Sequence, residues 1–215
     1  MTPHACFSAA AAWLCRHVPA RARRLHTDAR GSAAVEFAYI APVLLLMFLA
    51  TVEIGRAVSM DRHFAMATQM AGDLIAREEW MGTSTTNAKI NLDKMMESIQ
   101  HIMAPYDTST LELGIFSVRA STSDARETKV DWSYSFNGKS VPNKCQSYTL
   151  PDGMIEKGGS VIVVEGSFGY KPLFAGFVPG FSGNMTWTDR SFHSPRMNSC
   201  VDYVKPNGSS CLWSC

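Results

Sequence analysis

Arg30-Gly31-Ser32-Ala33-Ala34-Val35-Glu36-Phe37-Ala38-Tyr39-Ile40-Ala41-Pro42-Val43-Leu44-Leu45-Leu46-Met47-Phe48-Leu49-Ala50-Thr51-Val52-Glu53-Ile54-Gly55-Arg56 is the stretch on which the reading of this chain turns. From Ala33 to Val52 it is apolar except for Glu36 and Thr51. That is roughly 20 residues, enough at about 1.5 Å per residue to cross a hydrocarbon core. Arg16, Arg21, Arg23, Arg24 and Arg30 precede the run, opposed only by Asp28. Such a cluster holds an amino terminus in the cytoplasm, so everything from Glu53 onward is expected outside the membrane. A buried core helix is the competing reading; the length of the run and the arginines beside it favour the membrane.

Two residues at the start of the run call for chemistry. Glu36 is a carboxylate just inside an apolar segment, which is costly unless it has a partner or a task. Gly31 lacks a side chain, so a protease can approach its backbone closely, and it disfavours helix just before the apolar helix begins. Taken singly, Gly31 also reads as a helix breaker and Glu36 as a hydrated headgroup-level acid. Together, at this spacing and after this arginine cluster, they suggest a cut after Gly31. Pro42 removes one backbone bond, to the carbonyl of Ala38, which a membrane helix tolerates and which can bend it.

Working outward, the helix is expected to run from about Ser32 to about Trp80. Ala57, Met60, Phe64, Ala67, Ala71 and Leu74 recur at steps of three and four and mark one face. Asp61, Arg62, Gln69 and Asp73 lie on the other. Gly82 and the run Thr83–Asn87 end it. A second helix is expected at about Asn87–Met103, closed by Pro105. After Pro105 the period changes to two. Leu111, Leu113 and Ile115 read as a half-buried strand, and Val130, Trp132, Tyr134 and Phe136 as a cleaner one. Val161–Val164, continuing through Phe168 and Tyr170, reads as a buried strand, and Met185, Trp187 and Phe192 as a final one. Helices first and strands after give an α+β fold with an antiparallel sheet. The expected organisation is a basic leader (1–31), a long helix that spans the membrane in its first half (32–81), and an extracytoplasmic α+β domain with a cysteine-rich tail (82–215).

The chain has 215 residues, a formal charge of +1 and 46% hydrophobic residues, which excludes wholesale disorder. There is no basic patch interleaved with aromatics, so nucleic-acid binding is not expected. Cys6 and Cys15 precede the span, where thiols stay reduced. Cys145, Cys200, Cys211 and Cys215 follow it, an even number in a compartment that permits disulfides. Four cysteines allow three pairings. A Cys₄ zinc site competes: Cys211 and Cys215 have ligand spacing, but Cys145 and Cys200 supply no second close pair. His4, His17, His26, His63, His101 and His193 are scattered and read as surface residues. Gly158, Gly159, Gly166 and Gly169 read as turns and bulges. The 12 methionines read as core filler where Met66, Met70, Met95 and Met96 fall on helices. No nucleophile elbow or paired acid–base carboxylates stand out, so neither an enzyme nor a cofactor is expected.

Arg30-Gly31, Ala34-Val35-Glu36-Phe37-Ala38, Pro42 with its leucine run, and Glu53-Ile54-Gly55-Arg56 together resemble the TadE-like proteins. These are minor pilins, or pseudopilins, of the tight-adherence (Tad) pilus system. The sister TadF shares much of the segment. The longer TadG relatives carry an Asp-x-Ser-x-Ser metal motif that this chain lacks. The resemblance covers about residues 28–59. It implies cleavage by a prepilin peptidase between Gly31 and Ser32. It also implies that Glu36, fifth in the mature chain, pairs with the new terminal ammonium of a neighbouring subunit, with Phe37 as the aromatic that commonly follows. Glu53, Gly55 and Arg56 match the family signature at the outer end of the span. Glu53 and Arg56, three apart, can pair on one helix face or anchor the interface. Implied partners are the major pilin, a companion pseudopilin and the inner-membrane Tad platform, in pilus assembly, adhesion and biofilm formation. The implied location is the bacterial inner membrane, single-pass, with the carboxy-terminal domain periplasmic and possible entry into an extracellular pilus. Two other classes stay open: an uncleaved, anchored periplasmic binding or assembly protein, and a secreted protein released by signal peptidase near Ala50.

Overall fold

The computed structural model describes residues 31–174, 183, 185–211 and 215. The expected leader lies outside these residues except for Gly31. The chain divides into two units between Thr51 and Val52. One helix, α1 (Ser32–Ala76), runs through that point without interruption, Pro42 included. A shorter helix, α2 (Thr85–Ile102), follows. Four strands follow among the described residues: β1 (Glu112–Ala120), β2 (Thr128–Phe136), β3 (Ser160–Tyr170) and β4 (Met185–His193). They form one sheet in the order β2-β1-β3-β4, with every neighbouring pair antiparallel. The α+β reading holds.

α1 ends at Ala76, short of the expected Trp80, because a strap from the carboxy-terminal segment takes over the backbone groups that would continue it. The Arg196 N–H donates to the Ala76 carbonyl at 2.8 Å, and the Asp202 N–H to that of Glu79 at 3.1 Å. The Thr83–Asn87 run does more than end a helix. Ser84 caps α2, its hydroxyl accepting the Asn87 N–H at 3.2 Å, so α2 starts two residues earlier than expected.

The helices cover one sheet face. Met60, Phe64, Ala67, Ala71 and Ile75 of α1 meet Leu92, Met96 and Ile99 of α2 over Leu113, Ile115, Ile162, Val164 and Phe168. A second, smaller cluster lies on the other face: Phe116, Val118, Val130, Val161 and Val163, covered by Tyr148, Leu150 and Ile155. β1 is therefore buried on both faces, not the half-buried strand that alternation predicts. In β2, Ser117 of β1 pairs with Trp132 but Val118 pairs with Val130, so Asp131 is an extra residue. This bulge reverses the alternation. Trp132 and Tyr134 face the helices while Val130 faces the second cluster.

Two close approaches set the depth of α1 on the sheet. A Cβ on Gly166 of β3 would lie 2.7 Å from Thr68 Cγ2 and 2.9 Å from the Phe64 ring. Gly166 is thus a helix-approach glycine rather than a turn or bulge. A Cβ on Gly72 would lie 2.2 Å from the His193 ring. His193 packs there half-buried, against the expectation of a surface residue. Burial lowers its pKa; Asp73 raises it and Arg196 lowers it to a smaller degree.

The tail is stapled as expected, by Cys145–Cys215 and Cys200–Cys211. Within the second loop, the Asp202 carboxylate accepts the Cys211 N–H at 3.2 Å. Asp202 also faces the buried Arg119 guanidinium at 3.5 Å, and the bulged Asp131 completes the group at 2.7 Å. A buried cation needs such partners to be tolerated. The Trp132 indole N–H donates to the Val201 carbonyl at 2.7 Å, so strap, sheet and α1–α2 junction are held as one body.

Candidate functional site

The residues singled out by sequence lie at two places on α1. The first is its amino-terminal end. Ser32 Oγ donates to Glu36 Oε1 at 3.0 Å, one helical turn away. Phe37 is 64% exposed, and the large apolar side chains from Val35 to Phe48 are all more than half exposed. Nothing lies within 4 Å of a Cβ placed on Gly31. This part of α1 is therefore a continuous apolar surface with one carboxylate near its start. A patch of this extent requires lipid or other protein to cover it. The helix is long and apolar enough to cross a membrane.

The second place follows the apolar run. Glu53 does not pair with Arg56. Its carboxylate accepts the Tyr170 hydroxyl at 2.5 Å and the Leu173 N–H at 3.1 Å. Glu53 thereby ties the start of the amphipathic half of α1 to the end of β3. Burial pushes the Tyr170 phenol up to about 12, helped by the Glu53 carboxylate and opposed by the Arg56 guanidinium. The Arg56 carbonyl accepts the Tyr106 hydroxyl at 3.4 Å. Arg56 Nη1 is buried with no hydrogen-bond partner among the described residues. Gly55 is open to solvent, with nothing within 4 Å of a Cβ, so packing within this chain does not require a glycine there.

The zinc alternative fails on connectivity: Cys211 and Cys215, the pair with ligand spacing, belong to different disulfides. Cys200, Asp202 and Cys211 do come together, but both sulfurs are bridged and offer no thiolate. The largest groove among those described, about 670 Å³, is lined by Arg126, Thr128, Tyr148, Leu150, Asp152 and their neighbours.

Sequence reasoning missed Tyr170 and Leu173 as partners of Glu53, which lie 117 and 120 residues away. It also missed the bond from Thr68 of α1 to Asp189 of β4. Periodicity places a residue on a face but does not say which distant residue meets it. The signal available was an acid at the end of an apolar run and a tyrosine ending an apolar strand.

Residues 31–73 match the family described as TadE-like protein. No curated protein and no solved structure matches the chain. The matched segment begins at Gly31, contains Glu36, Glu53, Gly55 and Arg56, and covers α1 almost to its end. Over residues 31–73 this chain is therefore similar to the TadE-like family.

Proposed function

We propose that this chain is a non-enzymatic minor pilin or pseudopilin of a Tad (type IVc) pilus. It is anchored in the bacterial inner membrane by residues 33–52, with its α+β head in the periplasm. The observation that carries the reading is the TadE-like match laid on an exposed apolar helix with a single carboxylate near its start. In this reading a prepilin peptidase cuts between Gly31 and Ser32, and the new Ser32 ammonium meets Glu36 of an adjoining subunit. An unpaired charge in low dielectric is strongly disfavoured, so the pair gives register along a growing stack. Among the described residues Glu36 accepts a bond from the neutral Ser32 hydroxyl, and a terminal ammonium would meet its charge. The major pilin, a companion pseudopilin and the inner-membrane platform are the partners, and adhesion and biofilm formation the outcome.

The test is Glu36→Gln in the native host. Loss of surface fibres with normal protein level in the membrane supports the reading, and wholly intact fibre production contradicts it. A companion variant, Gly31→Leu, is expected to retain the leader mass in the membrane fraction.

A further inference from the structure

Glu53 is the first charged residue after the apolar run that ends at Val52. Where α1 crosses a membrane, this carboxylate stands at the edge of the hydrocarbon. The headgroup layer beyond that edge is about 5–8 Å deep. Glu53 accepts the Tyr170 hydroxyl at 2.5 Å and the Leu173 N–H at 3.1 Å. The Tyr170–Leu173 segment is therefore fixed within one side chain's reach of that edge.

The chemistry of the segment suits the layer. Leu173 is 62% exposed, one of the most exposed large apolar side chains of the head. Lys171 is exposed and Pro172 is buried, so the chain alternates a cation and an apolar side chain outward around a fixed proline. The Tyr170 ring packs edge-on against Trp187, with centroids 6.2 Å apart. Tyrosine and tryptophan gather at headgroup level, and lysine reaches from apolar surroundings to phosphate. In sequence, no charged residue occurs between Lys171 and Asp189.

We propose that Lys171 and Leu173 form a second membrane contact of the head, with Leu173 entering the outer edge of the hydrocarbon and Lys171 meeting lipid phosphate. This rests on the reading that α1 spans the membrane. Glu53 is the positioning residue that presents the segment. Lipid is favoured over a protein occupant because the span itself brings lipid to this level.

The experiment places the photo-crosslinker benzoylphenylalanine at one of three positions in the full-length protein in its native membranes. The positions are Leu173, Ile40 in the span and Met197 in the strap. Ile40 is 54% and Met197 61% exposed, so all three accept the probe. Arg196 is bonded to the Ala76 end of α1, about 35 Å of helix beyond Glu53 at about 1.5 Å per residue. After irradiation, adducts are identified by mass. The proposal predicts phospholipid adducts at 173 and at 40 and none at 197. Lipid at 40 with none at 173, or only protein adducts at 173, overturns the second contact and leaves the span intact. Absence of lipid at 40 overturns the span reading and the contact with it. As a second measurement, Glu53→Gln leaves one acceptor oxygen where two hold the segment, and is expected to reduce the lipid adduct at 173 but not at 40; an unchanged yield at 173 removes the positioning role of Glu53.

Discussion

Residues 32–51 and 52–76 belong to one continuous helix, yet their side chains meet different surroundings. In the first stretch, every large apolar side chain from Val35 to Phe48 is exposed. In the second, Met60, Phe64, Ala67, Ala71 and Ile75 are fully buried against the sheet and α2. Helix propensity does not separate them, since alanine, the best helix former, is the commonest residue in both. What separates them is where the apolar residues fall. The first stretch is apolar all round and needs an outside solvent. The second carries one apolar face and finds its solvent in its own chain.

This comparison can be broken by substitutions read in urea unfolding of the full chain in detergent, followed by tryptophan fluorescence. Phe64→Ala removes a ring that is 1% exposed and packs on Phe168 with centroids 6.1 Å apart. It is expected to cost about 3–5 kcal/mol. Phe48→Ala, at 63% exposed, is expected to change head stability by less than about 0.5 kcal/mol. Equal effects would contradict the division. Next come the staples. Opening Cys145–Cys215, which closes a separation of 70 residues, is expected to cost about 4 kcal/mol on the chain-entropy account. Opening Cys200–Cys211, with a separation of 11, is expected to cost about 3 kcal/mol on the same account. The two serine double variants measured in parallel test that order.

Gly166→Ala is smaller again. Its methyl meets Thr68 and Phe64, and overpacking of this kind costs about 1–3 kcal/mol. Gly55→Ala, where nothing lies within 4 Å, is expected to leave head stability unchanged or slightly raised. The smallest effect is a pH dependence. Burial holds the His193 pKa below its ordinary value, so the unfolded chain binds a proton there that the folded chain refuses. Stability is therefore full above about pH 6.5 and falls as pH drops from there toward the folded pKa. The urea midpoint of the native protein is expected to fall across that window, and His193→Gln to remove that part of the fall. A midpoint that rises with acidification would contradict the buried, neutral ring.

The sequence made some of this legible and hid the rest for physical reasons. α1 and its amphipathic half were readable because a face recurring at three and four positions is a local property. The family match covers the same helix and begins at Gly31. β1 misled because its second face is covered by Tyr148, Leu150 and Ile155, from a segment without periodicity. β2 misled at Asp131, since one extra residue reverses which side faces inward and leaves no mark in the pattern. The disulfide pairing and the partners of Glu53 were hidden because each depends on residues brought together only by the finished fold.

The central claim is that the apolar half of α1 becomes the start of a mature pilin. Intact-mass measurement and amino-terminal sequencing of the protein extracted from native membranes test it most directly. The account predicts a chain that begins at Ser32, with the apolar segment retained and both disulfides formed. A membrane-bound chain that still carries residues 1–31, or a soluble chain that has lost the apolar helix, would contradict it.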